Sequence, residues 1–241
     1  AIFPAMSDDV KRLTLPQPVD LLQERDSRTI LGALDQLRPG VVMMSGDNPA
    51  LPKMPDRPTL LDFFRLRLDT FTVNHLLQSA RRAQANGCDE KIVLACLLHD
   101  ISVAGLIRAD HGYWAAQMIA PYVDPQVAWG VEKHQALRFF ADPENGYDYP
   151  EAYTHFFGPD HKVPAYLQKS YDDARAHPWY MTARIITVND IYTFEDGVMI
   201  DPAEFEDVIG RHFRQPAEGL GFDNSPTSHM WRTMIWPDNF L

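Results

Sequence analysis

The chain is poor in cysteine: Cys88 and Cys96 are the only two among its 241 residues. They form no CxxC pair and lie on or beside one apolar stretch. That favours two reduced thiols over a disulfide and gives no support to a zinc knuckle. Long hydrophobic runs are missing as well. None approaches the roughly 20 apolar residues that cross a bilayer, so no membrane partner is expected. The opening "AIFPAMSDDVKRL" has no basic region followed by an apolar stretch, which predicts no signal peptide and, by default, a cytoplasmic location. Positive charge is also scarce, with 22 Lys and Arg against 33 Asp and Glu and a formal net charge of −11. Nucleic acids and anionic membranes require a basic surface, so neither is an expected partner. A small anionic substrate stays open if metal ions or a few local cations offset the charge. There is no internal repeat, no low-complexity tract and no convincing run of short alternating strands. No oligomeric state follows from the sequence.

What the chain does have is helical periodicity, and the expected class is all-α. Residues 1–58 are rich in Pro and turn residues ("TLPQPVD", "DNPALPKMPDRP") and are expected to form an arm on the core, with one short helix near residues 27–36. From Thr59, the spacing of Leu61, Phe64, Leu68, Phe71 and His75 predicts a helix with a buried stripe, capped by Thr59 or Asp62. "DEKIVLACLLHD" is apolar nearly throughout and predicts a buried helix that opens with two acids. "HGYWAAQMIAPYV" and "DPQVAWGVEKHQALRFF" predict two more, the second with Asp124 as cap and Pro125 in its first turn. A Pro- and Tyr-rich loop, "FADPENGYDYPEAYTHFFG", should follow. Helical character returns in "AYLQKSYDDARAH" and "PWYMTARIITVNDIYTFEDG". Residues 59–195 thus form the expected helical core, and 196–241 an irregular, aromatic-rich C-terminal extension.

The chemistry-bearing residues are spread along this core. His99-Asp100 ends the apolar helix, where burying an imidazole and a carboxylate is costly unless something binds them. A lone His-Asp pair carries little information, because a chain with nine His residues meets about one by chance. The other members add to it: His75 on the preceding buried stripe, His111 opening the next helix, His134 within the one after, and Asp190 in the apolar "ARIITVNDIY". These four imidazoles and two carboxylates, from five expected helices, would leave several groups unsatisfied without a ligand, each costing about 1–3 kcal/mol.

The order His … His-Asp … His … His … Asp resembles the HD-domain superfamily of metal-dependent enzymes, over residues 60–194. The minimal pattern fits His75, His99, Asp100 and Asp190. The two extra His, His111 and His134, resemble the dinuclear branch that includes phosphonate-cleaving oxygenases and, more distantly, myo-inositol oxygenase. The resemblance implies an HD helical bundle holding one metal on His75, His99 and Asp190 and a second on His111 and His134, with Asp100 as bridge and catalytic residue. It implies two Fe ions in a mixed-valent pair, with Mn, Zn or Mg as alternatives, and O₂ and a small hydroxylated substrate as partners. Hydrogen removal next to the hydroxyl would lead to C–C or C–P cleavage. The alternative activity in the superfamily is metal-dependent phosphate ester hydrolysis. The chain departs from the family at Ser102 and Val103, where many members continue "HDIGK" or "HDIGH". Phosphonate-cleaving relatives carry a Lys four residues after the residue matching His134, where this chain has Arg138, a cation able to hold phosphonate or carboxylate. They also carry an Arg where this chain has Thr187, while Arg184 lies a turn farther back. In the tail, His229 and Arg232, beside Trp231 and Trp236, are candidate substrate-binding residues of a segment that closes the site.

Overall fold

The computed structural model describes residues 50–103, 110–190, 195 and 197–237. The arm through residue 49, with the helix expected near residues 27–36, lies outside the described residues. So do the segment after the His-Asp turn and residues 191–194. Among the described residues there are ten α-helices and no strand. They are α1 (Leu60–Leu66), α2 (Thr70–Ala85), α3 (Glu90–Leu98), α4 (His111–Ile119), α5 (Pro125–Leu137), α6 (Glu151–Phe157), α7 (Ala165–Arg175), α8 (Tyr180–Asn189), α9 (Glu206–His212) and α10 (Ser228–Ile235). The all-α class is therefore observed. No helix among the described residues is long and apolar enough to cross a membrane.

α3 is surrounded by α2, α5, α8 and α9, which accounts for its all-round apolar sequence: every residue from Ile92 to Leu98 is buried. Its start is fixed by Asp89, whose side chain accepts from the Lys91 amide. α5 is the second hub and packs on α3, α4, α7 and α8. Two glycines set its approach to its neighbours. A Cβ on Gly130 would lie 2.7 Å from Thr182 Cγ2 of α8, and one on Gly112 of α4 would lie 2.8 Å from the Glu132 carbonyl oxygen. Asp124 caps α5 through the Gln126 amide, with Pro125 in the first turn, as the sequence implied.

Three expectations need correction. The single helix from Thr59 to His75 is two. Thr59 and Asp62 do form a capping box, but α1 stops at Leu66, and Arg67 donates to the carbonyls of Leu66, Pro52 and Ile235. Asp69 then caps α2 through the Thr72 amide. The restart shifts the helical phase, so Phe71 is 68 % exposed rather than on the buried stripe, while His75 remains buried. The expected loop after Phe140 contains α6, which follows Pro150 and is held by Tyr153, whose ring packs on Phe139 and Phe157. The C-terminal extension is not irregular throughout. α9, α10 and the residues that flank α9 put Phe205, Val208, Phe213, Met230, Trp231 and Ile235 into the same core as Phe63 and Leu94. Trp231 is fully buried and donates its indole N–H to the Met118 carbonyl.

Candidate metal centre

Five helices bring the predicted ligands together, each for a local reason. His75 lies on the buried face of α2. His99 and Asp100 sit just beyond the last turn of α3. His111 is the first residue of α4, whose entry is tied down by Ser102 Oγ donating to the His111 carbonyl and by the Gly112 amide donating to Gln135. His134 faces inward from α5. Asp190 is not within a helix. It follows α8 in extended conformation, which turns its carboxylate into the cluster as the helix ends. α6 and α7 intervene between His134 and Asp190, so the ligand helices are not all consecutive.

The donor atoms converge in two groups. His75, His99 and Asp190 place their ligand atoms within 4.8 Å of one another, and so do His99, Asp100 and His134. Within the first group, His75 Nε2 lies 3.0 Å from His99 Nε2 and 3.2 Å from Asp190 Oδ1. Asp100 spans both groups. Its Oδ2 is 3.5 Å from His75 Nε2 and 3.7 Å from His99 Nε2, while its Oδ1 is 3.1 Å from His111 Nε2 and 3.5 Å from His134 Nε2. Bonds of about 2.1 Å to a common ion put neighbouring donors about 3.0–3.5 Å apart, so these separations suit ligation.

Tautomers support the same conclusion. His99 Nδ1 lies 2.7 Å from the Cys96 carbonyl and His134 Nδ1 contacts the Val131 carbonyl. A carbonyl only accepts, so both rings donate from Nδ1 and turn Nε2 inward, the orientation of metal-binding histidines. His134 Nε2 and Asp100 Oδ1 are buried without a hydrogen bond among the described residues, a cost that a metal ion would remove. No thiol belongs to either group, so the donor set is nitrogen and oxygen, which suits iron, manganese or zinc. The residues fit a buried metal centre, and two overlapping donor groups that share His99 are compatible with two ions.

The two ends differ electrostatically. Burial works against a charged His75, but the carboxylates of Asp100 and Asp190 outweigh it and raise the group to about 10. His111 moves the other way, to about 4, because burial and the nearby His134 and Arg138 oppose protonation. Burial lowers His134 as well. Asp100 and Asp190 are held below the usual carboxylate range despite their burial by the imidazoles around them.

Arg138 is brought near this cluster. It follows α5 one turn after His134, and its charge is felt at His111. Its guanidinium carbon lies 5.0 Å from the Phe139 ring centroid and 5.6 Å from that of Tyr153, and Tyr147 Oη donates to its carbonyl. His229 and Arg232 are not brought in by any described contact. Both are exposed on α10, and Arg232 directs Nε and Nη2 to the Gly221 carbonyl. Sequence reasoning missed Ser102 and Gln135 as the residues that seat His111. The position of Gln135 beside His134 was the only available signal. No protein-family model matches the chain, and no curated protein matches it in sequence.

Proposed function

We propose that the protein is an HD-type non-haem diiron oxygenase acting on a small, hydroxylated, anionic substrate. The observation that carries the reading is the Asp100 carboxylate, which presents one oxygen to His75 and His99 and the other to His111 and His134. That is the arrangement a bridging ligand between two ions requires. A pair of iron ions on these ligands would supply O₂ activation and chelation of a substrate hydroxyl.

The chain's own residues do the rest. Asp100 is the most open member of the cluster, with 20 % of its side chain exposed against none for His99 and His134, so substrate approaches on its side. Arg138 supplies a cation on that centre for a phosphonate or carboxylate group, and its stack on Phe139 and Tyr153 limits its rotamers. The complete burial of His99 and His134 keeps bulk water from the inner side.

The test is anaerobic iron loading with iron analysis, followed by O₂ uptake on a panel of small 2-hydroxy acids and 1-hydroxyphosphonates. About two irons per chain and substrate-dependent O₂ consumption are expected. Phosphate release from phosphate esters with Mn or Mg, without O₂ uptake, would instead identify a phosphohydrolase.

A further inference from the structure

On the outer side of α5, away from the face that carries His134, lies a cavity of about 370 Å³ between α4, α5 and α7. Its walls include Tyr113 and Trp114 from α4, Glu132 and Gln135 from α5, Tyr166 from α7, and Asp110 at the mouth. The volume is within the range of small-molecule sites. The chemistry is one-sided: three aromatic rings and two carboxylates line it, and no Lys, Arg or His does so among the described residues.

Asp110 is the informative residue. Elsewhere in the chain, Asp69, Asp89 and Asp124 precede helices and accept a hydrogen bond from a backbone amide of the first turn. Asp110 precedes α4 and makes no such bond, and it stands in the left-handed region at φ 53°, the only non-glycine residue with positive φ among those described. The Gly112 amide is served by Gln135 instead. The Asp110 carboxylate turns to the cavity, where its described hydrogen bond comes from the neutral Tyr166 hydroxyl at 3.3 Å. Glu132, by contrast, already holds Lys133 Nζ at 2.7 Å. The local backbone is thus held in an unfavoured conformation that gives up a cap and leaves an anionic group, with no cationic partner among the described residues, beside aromatic rings.

We infer that this cavity is a second ligand site, separate from the metal centre, that binds a small organic ammonium ion. Aromatic faces and a carboxylate attract such a cation together, and a neutral molecule of the same shape gains from the apolar contact only. The site is coupled in position to the metal centre, since Asp110 precedes His111 and Gln135 follows His134.

Calorimetric titration of the full chain with tetramethylammonium chloride, against tert-butanol as the neutral counterpart, tests this. Tetramethylammonium has no hydroxyl and is no metal ligand, so it does not report on the iron site. Saturable binding is expected, roughly tenfold tighter than tert-butanol. Asp110→Asn keeps a residue that tolerates the left-handed conformation while removing the charge, and should weaken binding by roughly three- to tenfold. Tyr166→Leu, at a position that is 59 % exposed and so safe for folding, should weaken it similarly. Absence of saturable binding, equal binding of tert-butanol, or unchanged affinity in Asp110→Asn would each overturn the assignment.

Discussion

α5 and α8 each contribute to two buried polar clusters, and the two are built in opposite ways. Around Arg184, which is fully buried, every guanidinium nitrogen has a partner. Nε donates to Tyr180 Oη, Nη1 to the Leu137 carbonyl and Thr187 Oγ1, and Nη2 to the Phe140 carbonyl. Asp142 Oδ2 lies 3.3 Å from Nε, and the Tyr147 ring lies 4.7 Å from the guanidinium carbon. This network adds donors to the Leu137 and Phe140 carbonyls where α5 ends and ties that end to α8. The cluster around Asp100 keeps His134 Nε2 and Asp100 Oδ1 buried without such partners. A buried polar cluster that closes on itself is architecture. One that leaves inward polar atoms open could hold a metal ion, and α5 and α8 contribute to one of each.

The largest expected effect comes from breaking the closed cluster. Arg184→Met should destabilise the metal-free protein by about 3–5 kcal/mol, because Asp142 loses its buried partner and the end of α5 loses its donors. His134→Ala in the same metal-free protein should cost no more than about 1 kcal/mol, since lost packing is offset by removal of an unsatisfied nitrogen. Urea denaturation of both variants checks the contrast. Equal losses would mean that the Asp100 cluster is as structural as the other.

Adding metal should narrow the gap between the two. At a free ion concentration 100 times the dissociation constant, each site stabilises the folded chain by about 2.7 kcal/mol. His111→Ala and His134→Ala should lose one such increment and fall from about two metal equivalents to about one. Arg184→Lys, if folded, should keep both. Metal analysis with thermal unfolding reads these outcomes, and a His134→Ala protein that still holds two ions would remove His134 from the second site.

The uneven legibility of the sequence follows from the same contrast. The members of the Asp100 cluster were legible because each is a polar residue on or at the end of an otherwise apolar stretch, a pattern that local sequence displays. Asp190 was placed correctly in the cluster but not at a helix end, because nothing local in "ARIITVNDIY" marks where α8 stops. Arg184 stands in that same apolar stretch, yet its partners at Leu137, Phe140 and Asp142 are more than 40 residues away and invisible to periodicity. The break after Leu66 was missed for a similar reason: Arg67 reaches the Ile235 carbonyl across the chain. In the tail, Met230, Trp231, Met234 and Ile235 have helical spacing that was open to view, but the preceding "DNSPTS" masked it.

Acid should weaken the closed cluster in a defined window. Burial would raise Asp142, but Tyr180, Asn145, Arg184 and Arg175 outweigh it and hold the carboxyl below its ordinary 3.8. A depressed carboxylate contributes stability that is present above its unfolded value and is lost as pH falls through the folded one. The stability gap between the parent protein and Asp142→Asn should therefore be full at pH 7 and pH 5 and shrink below about pH 4. Urea midpoints on metal-free protein measure it. A gap that does not change down to pH 3 would show that the Asp142 charge contributes nothing to the cluster.

The smallest effect is the sharpest test of whether the two clusters are separate. Thr187 belongs to the Arg184 network: its Oγ1 accepts from Arg184 Nη1 at 3.1 Å and donates to the Arg184 carbonyl at 2.7 Å. It also lies one turn before Asp190, at the position where the resemblance to phosphonate-cleaving enzymes places an Arg. Thr187→Val keeps the shape and removes the hydroxyl. Arg184 Nη1 retains the Leu137 carbonyl at 3.2 Å, so the loss should be about 1 kcal/mol rather than the larger cost of an orphaned charge. If the Arg184 network serves only to hold α5 against α8, the variant should bind as many metal ions as the parent, with the same affinity. Loss of the ion on His75, His99 and Asp190 at that small stability cost would show the opposite. Thr187 would then be positioning Asp190, and the closed cluster would be the support of the open one.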